Sequence, residues 1–278
     1  MYHAVLEFSS VWLTLAPQKI LRSGLMKLSD VKKLHQKKYR SQFGYYLVEG
    51  EHLVLELIKA INNKQAFLSL SEITFYATSQ YADWLSKKLS TNYKVEVLSE
   101  QQMVSLSDTK SPQGIIALVP LPKKRSTETS NKTSANTYYV YLYETQDPGN
   151  LGTILRTLAW FGNVTLLMSP NSVDPYNSKV VRASMGAIFH VDMELNVQLE
   201  SLNDRFQHFA YLDMNGKKVM SPTFGDYQCY LFGNEARGVP REVLASLNAE
   251  AFTIPGCGKI DSLNLASAVN MCVYELSR

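Results

Sequence analysis

Short apolar runs alternate with helix-like segments along the second half of this chain of 278 residues. The runs that predict strands lie at 138–143, 164–168, 188–193, 209–212, 227–232 and 251–254. The segments with helical spacing lie at 150–161, 177–185, 198–207, 239–247 and 263–276. Short strands separated by helices form a mostly parallel sheet that is covered on both faces. We therefore predict an α/β fold for this half, with a binding site beyond the carboxyl ends of the strands.

A second, smaller α/β unit is predicted for residues 26–120. Ser29 and Asp30 are expected to cap a basic helix, and strands are predicted at 45–48, 72–77, 93–98 and 114–119. Ser99 and Gln102 have the spacing of a capping box, which predicts a further short helix. Residues 121–137 have the composition of a linker, and residues 1–25 are interpreted as an N-terminal extension or an overlong start before Met26. The second domain is predicted at 138–278.

Positive charge is concentrated in the first half of the chain. Residues 1–137 contain 18 Lys and Arg against 11 Asp and Glu, a net charge of +7. Residues 138–278 contain 10 against 14, a net charge of −4. A basic domain favours a polyanionic partner such as nucleic acid. The alternative is a solvated basic surface without a partner.

Several classes of site are not indicated by the sequence. Cys229, Cys257 and Cys272 have no C-x-x-C spacing and no histidines cluster with them, so we expect no disulfide framework and no metal site. No apolar run reaches membrane length and no export signal is recognised, so we expect a cytoplasmic protein that contacts no membrane. No G-x-G-x-x-G follows a strand and no G-x-x-x-x-G-K-[ST] occurs, which disfavours a conventional dinucleotide site and phosphoryl transfer.

Three segments crowd Gly, Asn and charged residues directly after strand-like runs. They are 143–157 (YETQDPGNLGTILRT), 231–240 (LFGNEARGVP) and 254–269 (IPGCGKIDSLNLASAV). Parallel pairing would place all three at the same edge of the sheet. In isolation each has a simpler interpretation: 147–150 as a turn, Glu235 as a surface acid, and Ser262 and Asn264 as helix caps.

In this order and spacing, the three segments resemble the signature motifs of the SpoU (TrmH-like) RNA ribose 2′-O-methyltransferases, a branch of the SPOUT superfamily. The resemblance is close in the second half and looser in the first, where 43–50 and 105–118 carry it. It implies a C-terminal domain with a trefoil knot, S-adenosylmethionine as the methyl donor, a homodimer formed through that domain, and a smaller N-terminal RNA-binding domain. Ala236 departs from the family, which often has a glycine there, whereas Gly238 is retained.

The resemblance also implies roles for individual residues. The residues that correspond to the catalytic ones are Asn150, Arg156, Glu235, Ser262 and Asn264. The donor would be bound through Gly233, Ile254 and Leu263. Arg156 is expected to hold a phosphate beside the reacting ribose, since its planar fork suits phosphate and a permanently charged guanidinium is a poor general base. The expected RNA contacts are Lys37, Lys38, Arg40, Lys179 and Arg182.

The predicted function is the S-adenosylmethionine-dependent methylation of a ribose 2′-hydroxyl in structured RNA, with rRNA favoured over tRNA. The alternative is a non-catalytic RNA-binding or ribosome-assembly factor with the same fold. The intact residues of all three motifs argue against that alternative. A third hypothesis is an unrelated α/β enzyme for small molecules, which the basic first half and the missing cofactor loops disfavour.

Overall fold

The computed structural model describes residues 26–63, 69–89, 93–122 and 137–278. The predicted N-terminal extension and most of the predicted linker, including the basic residues 123–125, lie outside this range. None of the helices within the range is long and apolar enough to cross a membrane. The described residues form two sheets, one in each half of the chain, and helices pack on both.

The sheet of the first unit has four strands in the order β1-β4-β2-β3. The strands are β1 (Tyr45–Glu49), β2 (Thr74–Ala77), β3 (Lys94–Val97) and β4 (Ile115–Pro120). The helices are α1 (Leu28–Lys33), α2 (Lys37–Phe43), α3 (Glu51–Asn62), α4 (Ser79–Lys88) and α5 (Glu100–Leu106). β4 is antiparallel to β1 and β2, whereas β2 and β3 are parallel. Successive residues of β2 face opposite sides, so Phe75 packs in the cluster that contains α3 and Tyr76 in the cluster that contains α1 and α5.

The helix starts of this unit confirm one capping prediction and correct another. Ser99 accepts a hydrogen bond from the Gln102 backbone N–H (3.3 Å), and the Gln102 side chain accepts one from the Ser99 N–H (2.9 Å). The predicted capping box is therefore present. The prediction that Ser29 and Asp30 cap α1 is wrong, because both lie inside the helix, whose N-cap is Lys27 without a side-chain hydrogen bond.

The second unit is built on a six-stranded sheet, entirely parallel, in the order β10-β8-β9-β5-β6-β7. Its strands are β5 (Tyr138–Leu142), β6 (Val164–Met168), β7 (Met193–Leu195), β8 (Phe209–Lys218), β9 (Cys229–Phe232) and β10 (Ala249–Thr253). Its helices are α6 (Pro148–Phe161), α7 (Ser178–Ala183), α8 (Leu202–Arg205), α9 (Arg241–Leu244) and α10 (Leu265–Leu276). Val140 packs in the cluster that contains α6 and α10, and Tyr141 in the cluster that contains α8 and α9. The predicted α/β class with a parallel sheet is confirmed, and the trefoil knot stays a prediction.

One strand of this sheet lies away from its predicted position. Residues 188–193 were expected to be extended, but Ala187–Phe189 form a 3-10 turn and β7 begins at Met193. Ile188 and Phe189 are buried in the core without being in a strand. A short apolar run indicates burial but does not distinguish a strand from a buried turn. The helix predicted at 198–207 is similarly reduced to the single turn α8.

Among the described residues, two polar contacts connect the first unit to the second. Arg40 of α2 donates to Asp174 Oδ2 from Nε (2.9 Å) and from Nη2 (2.6 Å). Asp108, which follows α5, accepts from the Ser178 hydroxyl (2.7 Å) and from Arg182 Nη2 (3.4 Å). Burial alone would raise the pKa of Asp108, but the hydrogen bond from Ser178 and nearby positive charges lower it below its usual value. Both contacts are made to residues 174–182, the segment that includes α7.

Candidate functional site

The three Gly- and Asn-rich segments meet at the carboxyl edge of the six-stranded sheet. The segment 143–157 follows β5, and the segment 231–240 follows its neighbour β9. The third segment follows β10, which lies at the end of the sheet, beyond β8 and β9 as seen from β5. The loop 254–264 must therefore return past the ends of β8 and β9, because α10 packs against α6.

A chain of hydrogen bonds joins one side chain from each segment. Asn264 donates from Nδ2 to Asn150 Oδ1 (2.8 Å), and Asn150 donates from Nδ2 to Glu235 Oε1 (3.2 Å). The Glu235 carboxylate also accepts from the backbone N–H groups of Gln146 (3.1 Å) and Asp147 (3.2 Å). Both ends of the Asn150 amide are therefore bound, which fixes its orientation.

Both asparagines lie at helix N-termini. Asp147 caps α6 by accepting from the Asn150 N–H (2.7 Å), and Pro148 occupies the first turn, where a missing N–H has no cost. Asn264 caps α10 by accepting from the Ser267 N–H (3.2 Å), as predicted. The negative charge of Glu235 lies at the positive end of the α6 dipole. With three N–H donors already bound, this carboxylate is an ordering group for the loop.

Asn234 and Glu144 hold the second segment against the end of β5. Asn234 is buried; it donates from Nδ2 to the Glu144 carbonyl (2.6 Å) and accepts at Oδ1 from the N–H groups of Ala236 and Arg237 (both 3.0 Å). Arg237 also forms an ion pair with the Glu144 carboxylate. Neither Asn234 nor Glu144 was among the predicted site residues. The one signal for Asn234 in the sequence is its place beside Glu235 in a loop flanked by glycines.

Gly233 is required for closure of the same loop. Asn234 and Gly238 pair across it as an isolated antiparallel bridge. A Cβ on Gly233 would lie 2.5 Å from the Gly238 carbonyl oxygen and 2.6 Å from the Val239 nitrogen. The missing side chain thus faces the loop itself. A substitution at Gly233 would therefore distort the loop itself.

The loop 254–264 presents aliphatic side chains to solvent. Ile254 is half-buried against the core, whereas Ile260 and Leu263 are exposed. Ser262 is exposed and its hydroxyl has no hydrogen bond to any residue in the described range. Apolar groups next to a polar helix start can bind a ligand with an aromatic ring and charged substituents.

Arg156 lies on the exposed face of α6. Gly149, Thr153 and Trp160 share this face, at steps of three and four residues. Within the described part of the chain, the guanidinium of Arg156 has no hydrogen-bonding or ion-pair partner. Glu235 does not hold this arginine, since its partners are Asn150 and the backbone of 146–147.

Comparison with known proteins shows which family the chain resembles. Residues 137–274 match the family described as SpoU rRNA Methylase, and residues 26–117 match the MRM3-like substrate binding domain. The chain belongs to the SpoU family. It is 28% identical to the 23S rRNA (guanosine(2553)-2′-O)-methyltransferase RlmP of Bacillus subtilis, over 90% of this chain and 95% of that protein. It is 26% identical to the mitochondrial rRNA methyltransferase 3 of Mus musculus, over 86% of this chain and 69% of that protein.

Solved structures extend the comparison to the SpoU fold. A TrmH-family protein from Porphyromonas gingivalis aligns with a TM-score of 0.72 and 26% identity, over 91% of this chain and 98% of that one. The AdoMet-bound rRNA methyltransferase of Sinorhizobium meliloti aligns with a TM-score of 0.72 and 25% identity, over 90% of this chain and 93% of that one. Both alignments extend over the two units.

The residues expected to contact RNA in this SpoU protein fall into two groups. Lys37, Lys38 and Lys179 are exposed, as such contacts require. Arg182 is occupied by Asp108, and Arg40 is only 3% exposed. Arg40 also donates from Nη1 to the carbonyl oxygens of two residues at the end of α1 (2.7 and 2.9 Å). The structure therefore assigns Arg40 to the domain interface and corrects the expectation that it binds RNA.

Proposed function

We propose that the protein transfers a methyl group from S-adenosylmethionine to a ribose 2′-hydroxyl of RNA, with rRNA as the substrate. The observation that carries the proposal is the hydrogen-bonded chain from Asn264 through Asn150 to Glu235, which assembles all three SpoU segments at one edge of the sheet. Two relatives that align over most of this chain are named rRNA methyltransferases, and a similar solved structure holds AdoMet.

The residues at the edge fit this donor. Leu263 is 43% exposed, and it offers the aliphatic surface that an adenine ring requires, beside the polar start of α10. A cavity of about 300 Å³ lies between the first two segments and is lined by 146–148 and 234–236. Gly233, Ile254 and Leu263 would hold the donor, Gly233 by keeping its loop closed and the other two by apolar contact. When bound, the donor supplies an electrophilic methyl group on a sulfonium.

The residues of the first segment would align the acceptor. Asn150 is held rigidly at the start of α6, and Arg156 projects from the same helix with its guanidinium free of carboxylates in the described part of the chain. A planar guanidinium can bind a phosphate beside the reacting ribose through two parallel hydrogen bonds. Fixing the hydroxyl in line with the methyl group reduces the entropic part of the barrier. Ser262, exposed beside Asn264, is placed for a contact with ribose or donor.

We also propose a division of labour between the two domains. Residues 26–120 would bind the RNA and residues 138–278 would perform the transfer, with 121–137 as the linker. The match of 26–117 to a substrate binding domain and the excess of basic residues before 138 support this division. Lys37 and Lys38 on α2, with Lys179 on α7, are exposed cations that would contact phosphates.

The second domain is proposed to form a homodimer. Trp160 on α6 is 84% exposed and Tyr274 on α10 is 56% exposed, and Met271 adds to this apolar surface. The two helices pack against each other, and the rings of Phe161 and Tyr274 are 6.3 Å apart. Exposed aromatic side chains of this size are typical of interfaces, and a two-fold contact would bury the patch against its own copy. Sedimentation of the wild type and of Trp160→Glu would test this, with a monomeric wild type as the contradicting result.

The function is tested by following radioactive methyl transfer into rRNA. Calorimetry should show binding of S-adenosylmethionine, and nuclease digestion of the product should yield 2′-O-methylated nucleotides. Donor binding without transfer to rRNA or tRNA would favour the non-catalytic alternative. Absence of donor binding by the folded protein would contradict the proposal.

Arg156 provides the sharpest test of the mechanism. We expect Arg156→Ala and Arg156→Lys each to reduce single-turnover transfer by about a hundredfold or more, the effect of a positioned catalytic group, with donor affinity nearly unchanged. Thr153→Ala, on the same exposed face, is the matched control and should keep its activity. A near wild-type rate for Arg156→Lys would show that charge alone suffices. Loss of donor binding in both variants would assign Arg156 to the donor site.

A further inference from the structure

Tyr39 on α2 is an aromatic side chain that the apolar core does not use. Its ring belongs to none of the buried clusters formed by the described residues. Its hydroxyl has no hydrogen bond within the same range. The ring stacks on Phe43 one turn later, with centroids 6.0 Å apart and planes 18° apart, and Phe43 itself packs on the core. Phe43 of the same helix therefore stacks against the Tyr39 ring.

Two lysines lie over the Tyr39 ring. Lys33 Nζ is 5.7 Å and Lys38 Nζ is 5.8 Å from the ring centroid. Lys33 also pairs with Asp30 (2.9 Å), whereas Lys38 has no carboxylate partner among the described residues. Both lysines are exposed, so their side chains can leave the ring without uncovering any core.

We propose that Tyr39 is a stacking platform for an unpaired nucleotide of the RNA, with Lys33 and Lys38 binding the phosphates beside it. Every base has a π face that stacks on an aromatic side chain, independently of sequence. Tyr39 is half-buried, so part of its ring is accessible. A stacked base contributes more than an ammonium over a solvent-accessible ring, so the base can displace the lysines. Each displaced lysine then remains within reach of the backbone of the bound strand.

This site distinguishes between forms of RNA. In a duplex the bases are stacked on one another, and only the phosphates are available to the lysines. A looped-out or single-stranded nucleotide can use the ring as well. The inference rests on the proposed function in that RNA is the substrate, and it adds that the substrate offers an unpaired nucleotide to the first domain.

The platform has a fixed position relative to the second domain. Arg40 directly follows Tyr39 in α2, and it is bound to Asp174 at 2.6 and 2.9 Å. The ring and the buried guanidinium are therefore on one short rigid helix. A nucleotide held by Tyr39 would lie at a constant distance from the sheet edge that carries Asn150, so the platform would help to select which ribose reaches the site.

The test measures the binding of the full chain to a short single-stranded RNA and to an RNA duplex of the same length, by fluorescence anisotropy. We expect Tyr39→Leu to weaken single-strand binding by about tenfold, the effect of removing one stacked base, and to leave duplex binding unchanged. Tyr39→Phe keeps the ring and should bind as the wild type does. Lys38→Gln should lower the salt dependence by about one phosphate contact for both RNAs.

Two binding results would overturn the platform, and one crosslinking result would contradict it. One is wild-type single-strand affinity in Tyr39→Leu. The other is an equal loss for both RNAs, which would indicate general damage to the basic surface. Photocrosslinking of 5-bromouridine RNA offers a direct readout: a crosslink at Tyr39 supports the inference, and crosslinks confined to other residues contradict it. Normal methyl transfer by a protein that fails these tests would leave the proposed function intact, whereas no binding to any RNA would refute both.

Discussion

Removing one partner of the ion pair between Arg40 and Asp174 should destabilise the protein far more than breaking an ordinary surface pair. The side chains are 3% and 12% exposed. Arg40 makes two hydrogen bonds to Asp174 Oδ2 and two to backbone carbonyls at the end of α1, all between 2.6 and 2.9 Å. Arg40→Ala would remove all four and leave a largely buried carboxylate without its counter-charge.

The expected cost follows from that burial. Breaking a buried pair by removing one partner costs about 3–5 kcal/mol, because the remaining charge stays desolvated. With a urea dependence of about 2 kcal/mol per M, the unfolding midpoint should fall by about 2 M. Asp174→Asn should have a similar effect, since it leaves the guanidinium buried and unpaired. The double variant Arg40→Met/Asp174→Leu should recover much of the loss, because apolar replacement of a whole buried pair is often neutral.

Equilibrium unfolding in urea, followed by circular dichroism, measures these shifts. Arg182→Ala is the matched control, since Arg182 pairs with Asp108 across the same domain interface but both side chains are about one-third exposed. An exposed pair of this kind contributes less than about 1 kcal/mol. Equal midpoints for Arg40→Ala and Arg182→Ala would refute the reasoning from burial. If the unfolding midpoint of the double variant falls by the sum of the two single-variant shifts, the explanation by an unpaired buried charge is refuted.

Four further predictions concern the second domain and its contact with the first. Glu235→Gln should lower methyl transfer by about tenfold, since losing one charge-assisted hydrogen bond costs about 1.5 kcal/mol; unchanged transfer would show that the carboxylate does not order the loop. Gly152→Ala should cost about 1–3 kcal/mol in urea unfolding, because the new Cβ would lie 2.8 Å from the Ala183 carbonyl carbon; a stability equal to the wild type would contradict the close packing of α6 on α7. Cys257 is the exposed cysteine within the described range and should react with maleimide, more slowly when S-adenosylmethionine is present, whereas labelling of the buried thiols in the native protein would contradict the fold. The pKa of Asp108 is lower in the folded protein than the value of about 3.9 for an unfolded aspartate, so its ionised form stabilises the fold above about pH 3.9. This contribution is lost as the pH falls through the lower folded pKa. Asp108→Asn should therefore flatten the curve of stability against pH in that acidic range.

The sequence carried enough information for the order of the elements and for the three segments of the site. Local signals sufficed where the stabilising partner lies a few residues away. Asp147 has its hydrogen-bond partner three residues on, and so does Asn264, so turn and cap chemistry identify both helix starts. The apolar runs of β5, β6 and β9 were recognised for a similar reason, because β5 and β9 are buried along all or nearly all of their length and β6 along most of it.

Local signals in the sequence did not reveal contacts between residues that are distant in the chain. Arg40 follows Lys37 and Lys38 in a basic helix, and nothing nearby distinguishes it from them; its partner Asp174 is 134 residues away. Gly233 was expected to bind the donor, yet its missing side chain faces the backbone of Gly238, which only the closed loop brings near. Local patterns identify which residues are exceptional, whereas the role of each depends on contacts that only the folded chain supplies.

The route of the loop 254–264 has a consequence for the order in which the protein folds. The bond from Asn264 to Asn150 spans 114 residues, and the bond from Asn150 to Glu235 spans 85. Contacts between such distant residues form slowly, because the entropy of closing long loops is lost before the contacts are gained. β5 and β6 are closer together in the sequence, so they can pair before these long-range hydrogen bonds form. We therefore expect a refolding chain to regain most of its sheet before it regains donor binding, and substitutions that slow this last step to lower the fraction of active molecules while each active molecule works at the normal rate.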